Sequence, residues 1–94
     1  MRRAAKVDAN QSEIVDALRK AGCSVQCLHM IGKGCPDLLV GRAGRNHILE
    51  VKDGSKPLSA RKLTPDEIEW HVFWRGHVSV VCSAEEALRV VMAL

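Results

Sequence analysis

Aromatic side chains are nearly missing: Trp70, Phe73 and Trp74 are the only ones in 94 residues, and there is no tyrosine. Core volume must therefore come mainly from aliphatic side chains. Cys23, Cys27, Cys35 and Cys82 form no CxxC pair, and His29, His47, His71 and His77 do not stand at zinc-finger spacing from them. Free thiols in a reducing cytoplasm are the expectation, and with them a cytoplasmic location. Residues 1–13 lack the apolar centre of a secretory signal, and no apolar run is long enough to span a membrane. Strong charge of one sign is missing too. A net charge of +3 permits a nucleic-acid partner without arguing for one.

The residues that are present describe a globular chain, 47% apolar and 27% charged. Its length allows one domain over residues 1–94, with no room for a second core. So small a domain is marginally stable alone, which makes self-association a reasonable expectation. Basic side chains fall in two groups: Arg2, Arg3 and Lys6 on an N-terminal arm (residues 1–7, expected to be flexible), and Lys56, Arg61 and Lys62 in one loop.

Periodicity predicts a helix over 8–21, where Ile14, Ala17, Leu18 and Ala21 share a stripe, Asp8 caps the start and Gly22 follows the end. Strand-like residues occupy 25–31, 37–42 and 47–52, with a glycine turn at Gly32-Lys33-Gly34 and another turn around residues 43–46. Residues 53–63 read as a loop. Thr64-Pro65-Asp66-Glu67 then opens a helix expected to end near Gly76, with threonine as cap, proline at the first position and glutamate completing a capping box. A strand over 78–82 and a final helix opened by Ser83-Ala84-Glu85-Glu86 complete the order α-β-β-β-α-β-α. The fold class is α/β, an α+β arrangement with a mixed sheet and helices packed on it.

One acidic constellation stands out: Pro36-Asp37, then Glu50-Val51-Lys52. A two-residue turn at Ala43-Gly44 sets Asp37 opposite Glu50; a four-residue turn over 43–46 sets it opposite Lys52. In both registers the three side chains leave the sheet on one face, whereas a slip of one residue sends Asp37 to the other. Their neighbours Leu38, Leu39, Val40, Ile48, Leu49 and Val51 are apolar, and charges placed among them are costly unless paired or bound to a metal. The arrangement therefore suits a divalent cation held beside a phosphodiester. The competing reading is an ion pair of Lys52 with Glu50 or Asp37 that closes the sheet edge. Glu13, at the border of the packed stripe of the first helix, is equally compatible with reaching over the sheet and with facing water.

An ordered series of stretches surrounds the trio: Asp8-Ala9-Asn10-Gln11-Ser12-Glu13-Ile14-Val15, Gly34-Cys35-Pro36-Asp37-Leu38-Leu39-Val40-Gly41, Leu49-Glu50-Val51-Lys52-Asp53-Gly54, Leu63-Thr64-Pro65-Asp66 and Val78-Ser79-Val80-Val81. In these the chain resembles the stand-alone VRR-NUC (virus-type replication-repair nuclease) domains, a branch of the PD-(D/E)XK nucleases, over nearly its whole length. The resemblance implies that Asp37, Glu50 and the Val51 carbonyl bind Mg²⁺ or Mn²⁺, that Lys52 is the catalytic lysine, and that Glu13 is the acid of the first helix. It implies a homodimer that cuts branched DNA, four-way junctions among them, with no nucleotide cofactor. Lys33, Lys56, Arg61 and Lys62 are the candidate DNA contacts. The sequence departs from the family at Glu67, where glutamine is frequent; an ionised glutamate donates no hydrogen bond and repels phosphate, so its expected part is the helix cap alone.

Two carboxylates and a carbonyl suit Mg²⁺, which prefers oxygen ligands and keeps several waters. Lys52 would orient the attacking water or offset charge growing in the transition state. Other readings are a flap or nicking nuclease of phage replication, a DNA-binding module without catalysis, and a zinc-dependent regulator built on the cysteines. The runs Val90-Val91-Met92-Ala93-Leu94 and Trp70 with Phe73 and Trp74 are candidates for either core or a subunit interface.

Overall fold

A computed structural model describes residues 7–93, so the arm that carries Arg2, Arg3 and Lys6 lies outside the described residues. Helix α1 (Gln11–Lys20) buries Ile14, Val15 and Leu18 along one stripe, with Glu13 in its first turn and Arg19 and Lys20 in its last, as the helix dipole favours. It begins three residues later than the periodicity suggests, because Asn10, not Asp8, takes the cap position. The Asn10 amide makes no cap bond. It donates instead to the carbonyls of Lys52 at 3.1 Å and Cys82 at 3.0 Å, tying the start of α1 to the ends of two strands.

Strand β1 (Ser24–Cys27) runs antiparallel to β2 (Leu38–Arg42), and β2 antiparallel to β3 (Arg45–Val51). Strand β4 (Ser79–Val81) lies parallel to β3, so the four-stranded mixed sheet has the order β1-β2-β3-β4. The first strand stops at Cys27 and does not continue to residue 31. Leu28 donates to the Asp37 carbonyl, after which the chain turns through Gly32, Lys33 and Gly34, all at positive φ. The β2–β3 hairpin takes the two-residue turn, pairing Arg42 with Arg45 and Leu38 with Leu49. Ala43 and Gly44 both have positive φ, 51° and 77°, as a type I′ turn demands.

Ala43 is costly there, since an L-residue with a Cβ rarely adopts that conformation and asparagine does so more readily. Replacing Ala43 with Asn is expected to stabilise the protein by roughly 0.5–1 kcal/mol, seen as a rise of a few degrees in thermal midpoint. An unchanged or lower midpoint would show that the left-handed conformation of Ala43 costs the fold nothing.

Leu38, Val40, Leu49, Val51 and Val81 point to one face of the sheet, where they pack against Ile14 and Leu18 of α1 and Ala87 and Val91 of α3 (Ala84–Met92). The final helix is therefore core on its inner side, with Leu88 and Val90 packed against the cluster and Met92 and Ala93 exposed. Alternation sends Asp37, Leu39, Ile48, Glu50, Lys52 and Val80 to the opposite face. Helix α2 (Pro65–Phe73) contributes no buried residue, and Ile68, Val72 and Phe73 stand largely in solvent. It ends at Phe73 and not near Gly76, because Trp74 leaves the helix in an extended conformation with its indole stacked on Trp70, centroids 4.5 Å apart. The segment over residues 53–63 contains a short 3-10 turn, Leu58–Arg61.

Candidate active site

Asp37 is fixed three ways. Its amide donates to the Leu49 carbonyl at 3.1 Å, its carbonyl accepts from Leu28 at 2.7 Å, and its Oδ2 accepts from the Val51 amide at 2.7 Å. Continuing the hairpin register sets it against Glu50, so both carboxyl groups leave the sheet on one side. Only 6% of Asp37 and 1% of Glu50 remain exposed. Glu50 Oε1 is buried without a hydrogen-bond partner, and His71 Nε2, equally without one, lies 3.6 Å away. Burial, with the nearby Asp37 and then Glu67 carboxylates adding to it, pushes the Glu50 pKa up to about 10. At neutral pH and without a counter-ion, this carboxyl holds its proton.

Lys52 does not pair with either acid. Its Nζ donates to Glu67 Oε1 at 2.7 Å, which removes the simple ion pair of Lys52 with Glu50 or Asp37 as the explanation of the trio. Burial works against the ammonium, but the hydrogen bond and charge of Glu67 outweigh it and hold the Lys52 pKa above its ordinary value. Burial likewise works against the Glu67 carboxylate, yet Lys52 and the Thr64 amide keep its pKa below the usual range. Glu67 thus has two parts: it closes the capping box with Thr64, accepting from that amide at 2.8 Å, and it holds Lys52. Its position at the first turn of α2, four residues before His71, places both on one side of that helix, over Lys52 and Glu50. That spacing was the available signal for the pair.

Asp37, Glu50, Lys52 and Glu67 line a cleft of about 630 Å³ together with Asp8, Cys35, Lys33 and Lys56. The wall opposite the sheet is brought close at Gly34, where an added Cβ would stand 2.2 Å from the Asp66 carbonyl oxygen. Asp8 is the acid that the N-terminal segment brings to the cleft. Burial raises its pKa, Lys52 offsets part of that, and Asp37 adds to the rise. Glu13 lies elsewhere: it is exposed and lines a separate depression with Asp53, Arg61, Ser83 and Glu86. The chain turns at residues 8–10 before entering α1, which is why an acid preceding the helix reaches the site and one inside its first turn does not. Cys35, half-buried at the cleft, has its thiol pushed up by burial and then by Glu50 and Asp37.

Among the candidate DNA contacts, Lys33 and Lys56 are exposed at the cleft. Arg61 is half-buried, with its Nε donating to the Lys56 carbonyl at 2.7 Å, and it lines the depression that holds Glu13. Lys62 is exposed. The acids lining the cleft offer oxygen donors, and among the described residues no three His, Cys, Asp or Glu side chains stand close enough to cage a metal. Two opposed carboxylates, one of them with an unsatisfied buried oxygen, fit a cation that keeps most of its water, as Mg²⁺ and Mn²⁺ do. No helix of the described residues is long and apolar enough to cross a membrane. Comparison with known protein families, curated proteins and solved structures finds no match to this chain.

Proposed function

We propose that this chain is a metal-dependent endodeoxyribonuclease of the PD-(D/E)XK type, similar to the VRR-NUC branch, which hydrolyses phosphodiester bonds in branched DNA as a homodimer. The observation that carries the reading is the pair of buried carboxyls, Asp37 and Glu50, opposed across one hairpin with the Glu50 oxygen lacking any partner. The adjacent lysine does not neutralise the pair, since its ammonium is taken by Glu67; in the absence of a cation the pair is neutralised by a proton on Glu50.

Asp37 and Glu50, with the Val51 carbonyl between Glu50 and Lys52 on the same strand, would hold the cation. Mg²⁺ or Mn²⁺, when bound, acidifies water and screens phosphate charge. The Asp37 carboxylate is prevented from turning by its bond to the Val51 amide, and its other oxygen remains for the cation. Lys52 orients the attacking water or offsets charge on phosphorus oxygens, with Glu67 keeping its ammonium in place and ionised. Lys33 and Lys56 carry the DNA backbone into the cleft, whereas Arg61 stands on the separate depression beside Glu13. A second copy would cover the exposed flank of α2 at Ile68 and Val72.

Incubation with Mg²⁺ or Mn²⁺ and a set of four-way junction, flap, splayed-arm and linear duplex substrates tests the reading. Metal-dependent, paired nicks across the four-way junction are the expected result, with a dimer in sedimentation. Cuts confined to flaps would favour the replication nuclease, and tight binding without cleavage of any substrate the DNA-binding module.

A further inference from the structure

The aromatic side chains of this protein are all in one place. Trp70, Phe73 and Trp74 line a shallow depression of about 310 Å³ with Lys33, Asp66 and Glu69. Trp70 and Trp74 are stacked at 17° between planes, yet Trp74 remains 45% and Phe73 74% exposed. Nothing in the described fold needs them there, since the core is aliphatic apart from Cys23. The arrangement is nonetheless fixed: Gly76 lies so close beneath the Trp74 indole that an added Cβ would stand 2.8 Å from its Nε1.

Position gives this shelf a meaning. Lys33 and Asp66 line both the depression and the catalytic cleft, so the two are continuous. Lys33 supplies a cation at their junction, while Asp66 and Glu69 repel phosphate from the shelf itself. A nucleic-acid strand fits that pattern in one way, with its backbone on the Lys33 side and a base turned onto the indoles. Every base has a π-face, so such a platform takes unpaired nucleotides without regard to sequence. A base inside a duplex is already stacked and cannot use it.

We infer that the Trp70–Phe73–Trp74 shelf binds an unpaired nucleobase of the strand whose phosphodiester enters the cleft, and so favours branch points where a base beside the cut is unpaired or leaves its stack at the crossover. The inference rests on the proposed nuclease activity for its consequence, though stacking itself does not require cleavage.

Trp70 and Trp74 are the only tryptophans in the chain, so intrinsic emission reports on this shelf alone. Titration in EDTA with a single-stranded thymidine oligomer is expected to quench that emission, and the matching abasic oligomer, with the same phosphates, is expected not to. Trp74→Ala should weaken binding of the thymidine oligomer by roughly 5- to 150-fold, and Trp74→Phe should restore most of it. Equal quenching by both oligomers, no quenching by either, or a spectral change that follows protein concentration without DNA would each overturn the inference, the last by putting a second copy on the shelf. Base-dependent quenching with no cleavage of any substrate leaves the shelf standing and removes the nuclease reading. Cleavage without base-dependent quenching does the reverse.

Discussion

Glu50→Gln is expected to abolish metal-dependent cleavage and, in the same protein, to raise the stability of the metal-free fold. Both effects come from one carboxyl. Glu50 is almost completely buried and its pKa is pushed up to about 10, so the fold favours its neutral form while the unfolded chain prefers it ionised. Glutamine has the same shape and never ionises, so it removes that penalty and keeps the packing. It also removes the charge a cation needs. Turnover should fall by about a thousand-fold or more, while DNA binding by anisotropy changes little. Asp37→Asn should lose turnover equally, because its amide oxygen can still accept from the Val51 amide but carries no charge. Asp37→Ala differs, since it leaves that buried amide without an acceptor, at about 1–3 kcal/mol. Single-turnover cleavage and thermal melting in EDTA check both halves. Wild-type turnover by Glu50→Gln would remove this residue from the chemistry; a lower midpoint would show that keeping this carboxyl protonated costs the fold nothing.

The hairpin was legible because its side chains alternate and its turn chemistry is local. Leu38, Val40, Leu49 and Val51 face the core in the register that puts Asp37 against Glu50. Sequence left two turn lengths open, and the left-handed Ala43 and Gly44 decide for the shorter. Capping boxes were equally local: Thr64 and Ser83 accept from the third residue after each, as their spacing suggests. What sequence could not give were the contacts made across the fold. Asp8 reaches the cleft because Asn10 spends its amide on the carbonyls of Lys52 and Cys82, which starts α1 late and leaves Glu13 on a different surface. Glu67 looked like a cap and nothing else, since cap geometry is visible in four consecutive residues and a partner fifteen positions away is not. The aromatic cluster gave the opposite difficulty. Large apolar side chains suit a core or an interface equally by composition, and only the position of α2 outside the aliphatic core leaves Phe73 and Trp74 exposed.

The metal-free protein is expected to lose stability as the pH rises, and divalent cations to reverse that loss. In the fold Glu50 keeps its proton up to about pH 10, whereas a free glutamate releases it near 4.5. Between these values unfolding releases a proton, so each added unit of pH favours the unfolded chain, by up to about 1.4 kcal/mol where Glu50 dominates. The ordinary carboxylate trend, with stability gained on leaving acid, is inverted for this group. A cation bound at Asp37 and Glu50 stabilises the ionised form and displaces the proton, so its affinity rises with pH. A concentration about a hundred times the dissociation constant adds about 2.7 kcal/mol. Thermal midpoints measured with EDTA and with Mg²⁺ at about pH 6 and about pH 9 should therefore diverge, the Mg²⁺ increment being larger at the higher pH. Glu50→Gln should flatten both the fall in EDTA and the increment. A Mg²⁺ increment of the same size at both pH values, or one that survives in Glu50→Gln, would mean the cation sits away from this carboxyl, and the proposed chemistry would lose its foundation.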